Sequence, residues 1–211
     1  MIRAVFFDFD GVVMDSMHLK LESYCYAFEG EGFDPAEVNR IQTREAGISR
    51  HRLLGILYEE LKGAPLPPAL FEAALARFNR HDDESRARME FVPGTEVFLD
   101  KVAARYYTAV VTGTPQDVIE RTVAHFGLGP YFDEVRGSPK IKVDHLLELM
   151  QGRGLQAEEC LYIGDAVKDQ EAADACGMPF VGLDRGDAPF AVERAWAVVR
   201  SLAELEPRLG L

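Results

Sequence analysis

Apolar and polar positions follow two different rhythms along the chain. Ile2 to Phe7 is a short apolar run that predicts a buried strand, closed by Asp8-Phe9-Asp10-Gly11. From Asp15 to about His81 the apolar positions recur at helical spacing, with no good strand among them. Leu19, Tyr24 and Phe28 fit a first helix, and Asp34-Pro35 opens another, with Asp34 as N-cap and Pro35 at the first helical position. Leu53, Leu54, Leu57 and Leu61 define a third stripe, and Phe71, Leu75 and Phe78 a fourth. The Pro-rich run 64–68 separates those two.

After the charged stretch His81 to Glu90 the rhythm changes. Pro93-Gly94 opens a helix to about Ala104, followed by a strand Tyr107 to Val111, a helix Pro115 to Phe126 and a short strand Phe132 to Arg136. A helix over Val143 to Met150, a strand Cys160 to Ile163, a helix Val167 to Cys176, a strand Phe180 to Leu183 and an edge strand Ala197 to Val199 complete the series. Strands alternating with helices predict an α/β fold, a Rossmann-like parallel sheet with helices on both faces. The all-helical segment reads as a cap inserted after the first strand. The expected division is a core of residues 1–14 and 86–211 and a cap of residues 15–85.

Composition narrows the class. The chain has 211 residues, 47% apolar and 27% charged, the mix of a globular protein with a real core. Its net charge is −12, from 35 acidic against 23 basic residues, which argues against a broad nucleic-acid or membrane surface. Cys25, Cys160 and Cys176 match no zinc spacing and read as small buried apolar residues of a reducing compartment. The opening run lacks a cleavage site and no segment approaches membrane-spanning length, so a cytoplasmic location is expected.

Three polar clusters fall at the carboxyl ends of predicted strands, where parallel sheets bind ligands: Asp8-Phe9-Asp10, Thr112-Gly113-Thr114 and Gly164-Asp165 with Asp169. Asp8 and Asp10, two apart on an extended backbone, point the same way and repel. A hard divalent cation such as magnesium relieves that repulsion, although an Asp pair can also simply end a strand. Gly11 comes too early for an EF-hand calcium loop, and a strand precedes it. Thr114 reads as N-cap of the following helix, with Asp117 completing a capping box and Pro115 at N1. Thr112 and the Gly113 N–H could instead hold phosphate oxygens near that helix start. Asp169 could equally be a first-turn acid favoured by the helix dipole. Lys140 and Lys142, at a strand-to-helix turn, supply the cation that a carboxylate- and phosphate-rich site needs.

In this order the clusters resemble the haloacid dehalogenase superfamily: an Asp-x-Asp-Gly after the first strand, a Thr or Ser after the second, a lysine, then Gly-Asp-x-x-x-Asp. The resemblance covers the whole chain and is nearest to a phosphatase-like branch, echoed by Asp15-Ser16, Gly47-Ile48-Ser49-Arg50 and Gly137-Ser138-Pro139-x-x-Lys142. It implies a magnesium-dependent phosphatase acting on a small phosphorylated metabolite through an aspartyl-phosphate. Asp8 would be the nucleophile and Asp10 the general acid and base. Mg2+ would be held by Asp8, the Asp10 carbonyl and Asp165, with Asp169 binding through water or anchoring the site. Thr112 and Gly113 would bind phosphoryl oxygens. Lys142 would neutralise the charge between Asp8 and phosphate, with Lys140 as the alternative, since many relatives carry Lys-Pro there.

A phosphomutase of the beta-phosphoglucomutase type is the nearer rival, weakened by Lys20 where several sugar-phosphate relatives have histidine. A receiver-like signalling module is more remote, because receivers place the acceptor Asp after a later strand and lack such an insert. Asp10 argues against dehalogenase chemistry. Arg50, in the first turn of a helix started by Ser49, is unfavourable to that helix's dipole, which suggests a clamp on the substrate's leaving group. Its alternatives are a solvated arginine or one paired with Glu45 or Glu59. The sequence leaves open whether the chain acts as a monomer or a homodimer, and which phosphate ester it takes.

Overall fold

The structure is a computed structural model and describes residues 1–186 and 189–211. Strand β1 (Ala4–Phe7) leads through a turn into β2 (Met14–Asp15), and four helices follow: α1 (Met17–Ala27), α2 (Pro35–Arg44), α3 (Arg50–Lys62) and α4 (Pro68–Ser85). The chain returns through β3 (Glu90–Phe91), then continues as α5 (Thr95–Ala103), β4 (Tyr107–Pro115), α6 (Gln116–His125) and β5 (Glu134–Ser138). It ends with α7 (Lys142–Arg153), β6 (Cys160–Gly164), α8 (Val167–Ala175), β7 (Phe180–Leu183), β8 (Ala197–Val199) and a short terminal helix.

The main sheet runs β5-β4-β1-β6-β7-β8 and is parallel throughout, as the alternation predicts. Strand β1 lies between β4 and β6, so all three predicted polar clusters leave adjacent strand ends. Both faces of the sheet are buried. Val5 and Phe7 pack on one side with Val110 and Ile163, while Ala4 and Phe6 pack on the other with Val111 and Tyr162. Each fully buried Phe contributes roughly 1.5–3 kcal/mol to the stability of this platform. Helices α1 to α4 close around an apolar cluster of their own, built on Tyr24, Phe28, Ile41, Leu54 and Phe78.

Several boundaries depart from the sequence reading. Strand β4 continues past Val111 to Pro115, with an irregular register against β5 over that stretch. Pro115 is therefore the N-cap of α6 and Thr114 is not. A proline disfavours helical backbone in the residue before it, so Thr114 stays extended and its hydroxyl is free for another partner. Strand β5 begins at Glu134, later than Phe132, because Gly129–Tyr131 forms a 3-10 turn and Phe132 packs its ring against Phe7. Helix α4 runs on through the charged stretch to Ser85, since Asp82 and Ser85 face inward. The antiparallel pair β2–β3, with Met14 opposite Phe91, is too short to leave a pattern in the sequence.

Candidate active site

The turn after β1 is shaped by Gly11. Its φ is +82°, and a Cβ there would stand 2.0 Å from Asp165 Oδ2, so only glycine lets the two segments meet. This contact brings the β1 and β6 ends together. Carboxylate oxygens of Asp8, Asp165 and Asp169 lie within 4.8 Å of one another.

Asp8 is 4% exposed, with Oδ1 accepting from the Phe9 N–H at 2.8 Å and Oδ2 lying 3.1 Å from Lys142 Nζ. Burial raises its carboxyl to about 6, against the opposing pull of Lys142. Lys142 also reaches Asp169 Oδ1 at 2.5 Å. Burial would discharge that lysine, but Asp169 and Asp8 together hold it firmly protonated. Lys140 lies on the surface, bonded to Glu148 at 2.7 Å. Of the two candidate lysines, Lys142 is the one beside Asp8.

Asp169 is fully buried and its carboxylate is spoken for. Besides Lys142, Oδ1 is 3.0 Å from the Tyr162 hydroxyl and Oδ2 accepts from the Ala166 N–H at 3.0 Å. Asp165 has no hydrogen bond or ion pair among the described residues, and burial with the nearby Asp169 and Asp8 charges pushes its carboxyl well up. An unpartnered carboxylate facing two others is a donor set that suits a hard divalent cation, which would supply the charge now missing. The residues fit Mg2+ on that ground.

Asp10 sits in a separate nest. Its Oδ1 accepts from the Ser16 hydroxyl at 2.6 Å, its Oδ2 from the Thr114 hydroxyl at 2.7 Å, and Lys20 Nζ forms an ion pair with it. Burial works against the charge, yet Lys20, Ser16 and Thr114 outweigh it and hold the carboxyl at about 2. Thr112 Oγ1 accepts from the Thr114 N–H at 3.3 Å, which leaves its own proton free to donate. Gly113 lies under the helical module: a Cβ there would be 3.0 Å from the Gly47 carbonyl.

Asp8, Asp10, Thr112, Gly113, Thr114 and Asp165 line a partly open chamber of about 50 Å³, to which the helices contribute Lys20, Tyr24, Gln42 and Arg50. Arg50 is 6% exposed, so it is no solvated arginine, and its partners are neither Glu45 nor Glu59. It donates to Asn79 at 2.7 Å, pairs with Asp82 at 3.2 Å and covers the Phe78 ring at 4.7 Å. Sequence reasoning gave no role to Ser16, Tyr24, Gln42 or Asp82 and noted Lys20 only as a departure. Each carries its signal in a long-range contact, and only the polarity of Gln42 and Asp82 on otherwise apolar helix faces hints at it.

Sheet topology and site together fit a hydrolase of the α/β class that works on phosphate groups. The profile of the haloacid dehalogenase-like hydrolase family matches residues 5–183, and the chain belongs to that family. Within it the chain is a phosphoric monoester hydrolase. Phosphoglycolate phosphatase 1 of Pseudomonas aeruginosa is 27% identical over 97% of this chain and 79% of its own length. Phosphoglycolate phosphatase of Photobacterium profundum is 30% identical over 88% and 84%. The crystal structure of a predicted phosphoglycolate phosphatase from Haemophilus somnus superposes with a TM-score of 0.84, at 21% identity, over 99% of this chain and 98% of that one. Among the described residues no helix is long and apolar enough to cross a membrane.

Proposed function

We propose that the chain hydrolyses a small phosphate monoester in two half-reactions that share Asp8, with Mg2+ bound at Asp8, Asp165 and the Asp10 carbonyl and with Asp169 fixing the site from behind. The observation that carries this reading is the separation of roles between two buried carboxylates. Asp8 faces Lys142 and the acidic cluster, whereas Asp10 faces three donors across the chamber. Two carboxylates two residues apart with different partners can take different parts, Asp8 beside the lysine that would face a phosphoryl group and Asp10 among hydroxyl and ammonium donors.

In the first half a carboxylate oxygen of Asp8 bonds to phosphorus, the ester P–O bond breaks, and Asp10 gives its proton to the departing oxygen. In the second half Asp10 takes a proton from water, the water oxygen bonds to phosphorus, and the Asp8–phosphorus bond breaks to release inorganic phosphate. The Lys20 ion pair favours ionised Asp10, so it forms as Asp10 gives up its proton in the first half and opens as Asp10 takes a proton from water in the second. Thr112 and Gly113 hold phosphoryl oxygens, and Lys142 balances negative charge between Asp8 and the phosphoryl group. Mg2+ held by Asp8, the Asp10 carbonyl and Asp165 would add positive charge beside the phosphoryl group. Arg50 walls the leaving-group end. The small chamber favours a small ester, and the relatives named for phosphoglycolate act on one of that size.

Asp8→Asn is the test of the nucleophile. The variant should fold, bind inorganic phosphate analogues and show no turnover, because an amide cannot form the covalent intermediate. Ordinary activity in Asp8→Asn, or phosphate release that survives thorough chelation, would refute the respective part of the reading.

A further inference from the structure

Two of the groups that the helices bring to the chamber offer hydrogen bonds without formal charge. Gln42, on α2, is 3% exposed and lines it. Its Nε2 donates to the Met17 carbonyl at 3.1 Å, and because a carbonyl only accepts, the amide orientation is set. That leaves Gln42 Oε1 as a buried acceptor with no donor among the described residues. Tyr24, from α1, also lines the chamber; its ring packs on Phe78 at 4.6 Å and its hydroxyl has no hydrogen bond among the described residues.

The cations nearby are already balanced. Lys20 is paired with Asp10, and Arg50 with Asp82. Glu45 also lines the chamber, adding an acid. A leaving group carrying a carboxylate would find Arg50 already balanced by Asp82, would compete with Asp10 for Lys20, and would leave the Gln42 acceptor unpaired. A leaving group carrying hydroxyls would donate to Gln42 Oε1, exchange a hydrogen bond with Tyr24, and lay its C–H faces on Leu53 and Phe78.

From this arrangement we infer that Gln42 and Tyr24 select a neutral, hydroxyl-bearing leaving group, so that the enzyme prefers small polyol or sugar phosphates to the carboxylate-bearing phosphoglycolate of its relatives. The inference rests on the phosphatase reading and deepens it. A buried acceptor paired by substrate discriminates against analogues that lack the donor, because the wrong ligand leaves the site unsatisfied.

The experiment compares kcat/KM, by phosphate release, for glycerol phosphate and a tetritol phosphate, for phosphoglycolate, and for p-nitrophenyl phosphate as a reference. The better hydroxylated ester should exceed phosphoglycolate by at least about tenfold, the worth of one hydrogen bond of this kind. Gln42→Met should bring that ratio toward one. Tyr24→Phe, which keeps the ring packing, should lower it several-fold and gives the same readout if Gln42→Met fails to fold. Phosphoglycolate as the equal or better substrate, or a ratio unmoved in the folded variants, would overturn the inference while the phosphatase reading stands. Failure to turn over the aryl ester and all the others would overturn both.

Discussion

Replacing Asp82 by asparagine keeps the shape of the side chain and removes one charge from a buried network that ties the helices to the sheet. Asp82 is 3% exposed, with Arg50 at 3.2 Å and Arg86 at 3.5 Å. Arg86 retains Asp83 at 2.7 Å and the Thr122 hydroxyl of α6, so it keeps a counter-charge. Among the described residues Arg50 retains Asn79 and the face of Phe78. Removing one partner of a buried pair costs about 3–5 kcal/mol, and the asparagine carbonyl still accepts, which brings the expected loss to about 2–3 kcal/mol. For a chain of this length that lowers Tm by roughly 4–12 °C, read by thermal unfolding. Arg50→Met combined with Asp82→Asn should lose less than the two single variants added together, because no stranded guanidinium remains. The same substitution leaves one uncompensated positive charge at the leaving-group wall. Even in a water-like dielectric that charge is worth about 1 kcal/mol to a carboxylate a few ångströms away, a factor of about five. The ratio of phosphoglycolate to polyol phosphate kcat/KM should therefore rise at least that much in Asp82→Asn. A Tm shift below about 2 °C would refute the buried-pair reasoning, and a stable ratio would refute the claim that Asp82 neutralises Arg50 at the chamber.

Lys142→Ala should lower kcat at least about a hundredfold, as expected for a charge placed against a transferring phosphoryl group, whereas Lys140→Ala should stay within about twofold because its partner is a surface glutamate; parallel steady-state assays separate them. Thr114→Val removes a donor from Asp10 and should cost about tenfold on alkyl phosphates and much less on p-nitrophenyl phosphate, whose leaving oxygen needs little protonation; equal losses on both would show that Thr114 acts on something other than the acid.

The parallel sheet was legible because each strand is a compact apolar run bounded by turn residues, from Val5-Phe6-Phe7 to Val181-Gly182-Leu183. Asp8, Thr112 and Asp165 were legible as a group because parallel strands put such residues at one edge whatever their sequence distance. Thr114 misled, since Thr-Pro before a helix looks like a cap, and only the extended backbone through Pro115 frees its hydroxyl for Asp10, 104 positions away. The Lys20–Asp10 and Arg50–Asp82 pairs depend on how α1, α3 and α4 are rotated against one another. No local spacing encodes that rotation, so Arg50 could be placed at a helix start but its partner could not be named.

The ribbon formed by β2 and β3 gives the sheet and the helices separate histories. Met14–Asp15 leaves the sheet beside the place where Glu90–Phe91 comes back, one strand spacing or about 5 Å away. To the sheet, everything between them is a single excursion with its ends already joined. The entropy of closing such an excursion grows only with the logarithm of its length, so lengthening, shortening or replacing it disturbs the sheet little. Asp8, Thr112, Lys142 and Asp165 all stand outside it, while Lys20, Tyr24, Gln42 and Arg50 stand within it. Transplanting the segment between the paired strands into a relative should therefore carry across the choice of leaving group, together with the Ser16 and Lys20 partners of Asp10, and leave the recipient's own counterparts of Asp8, Thr112, Lys142 and Asp165 in place.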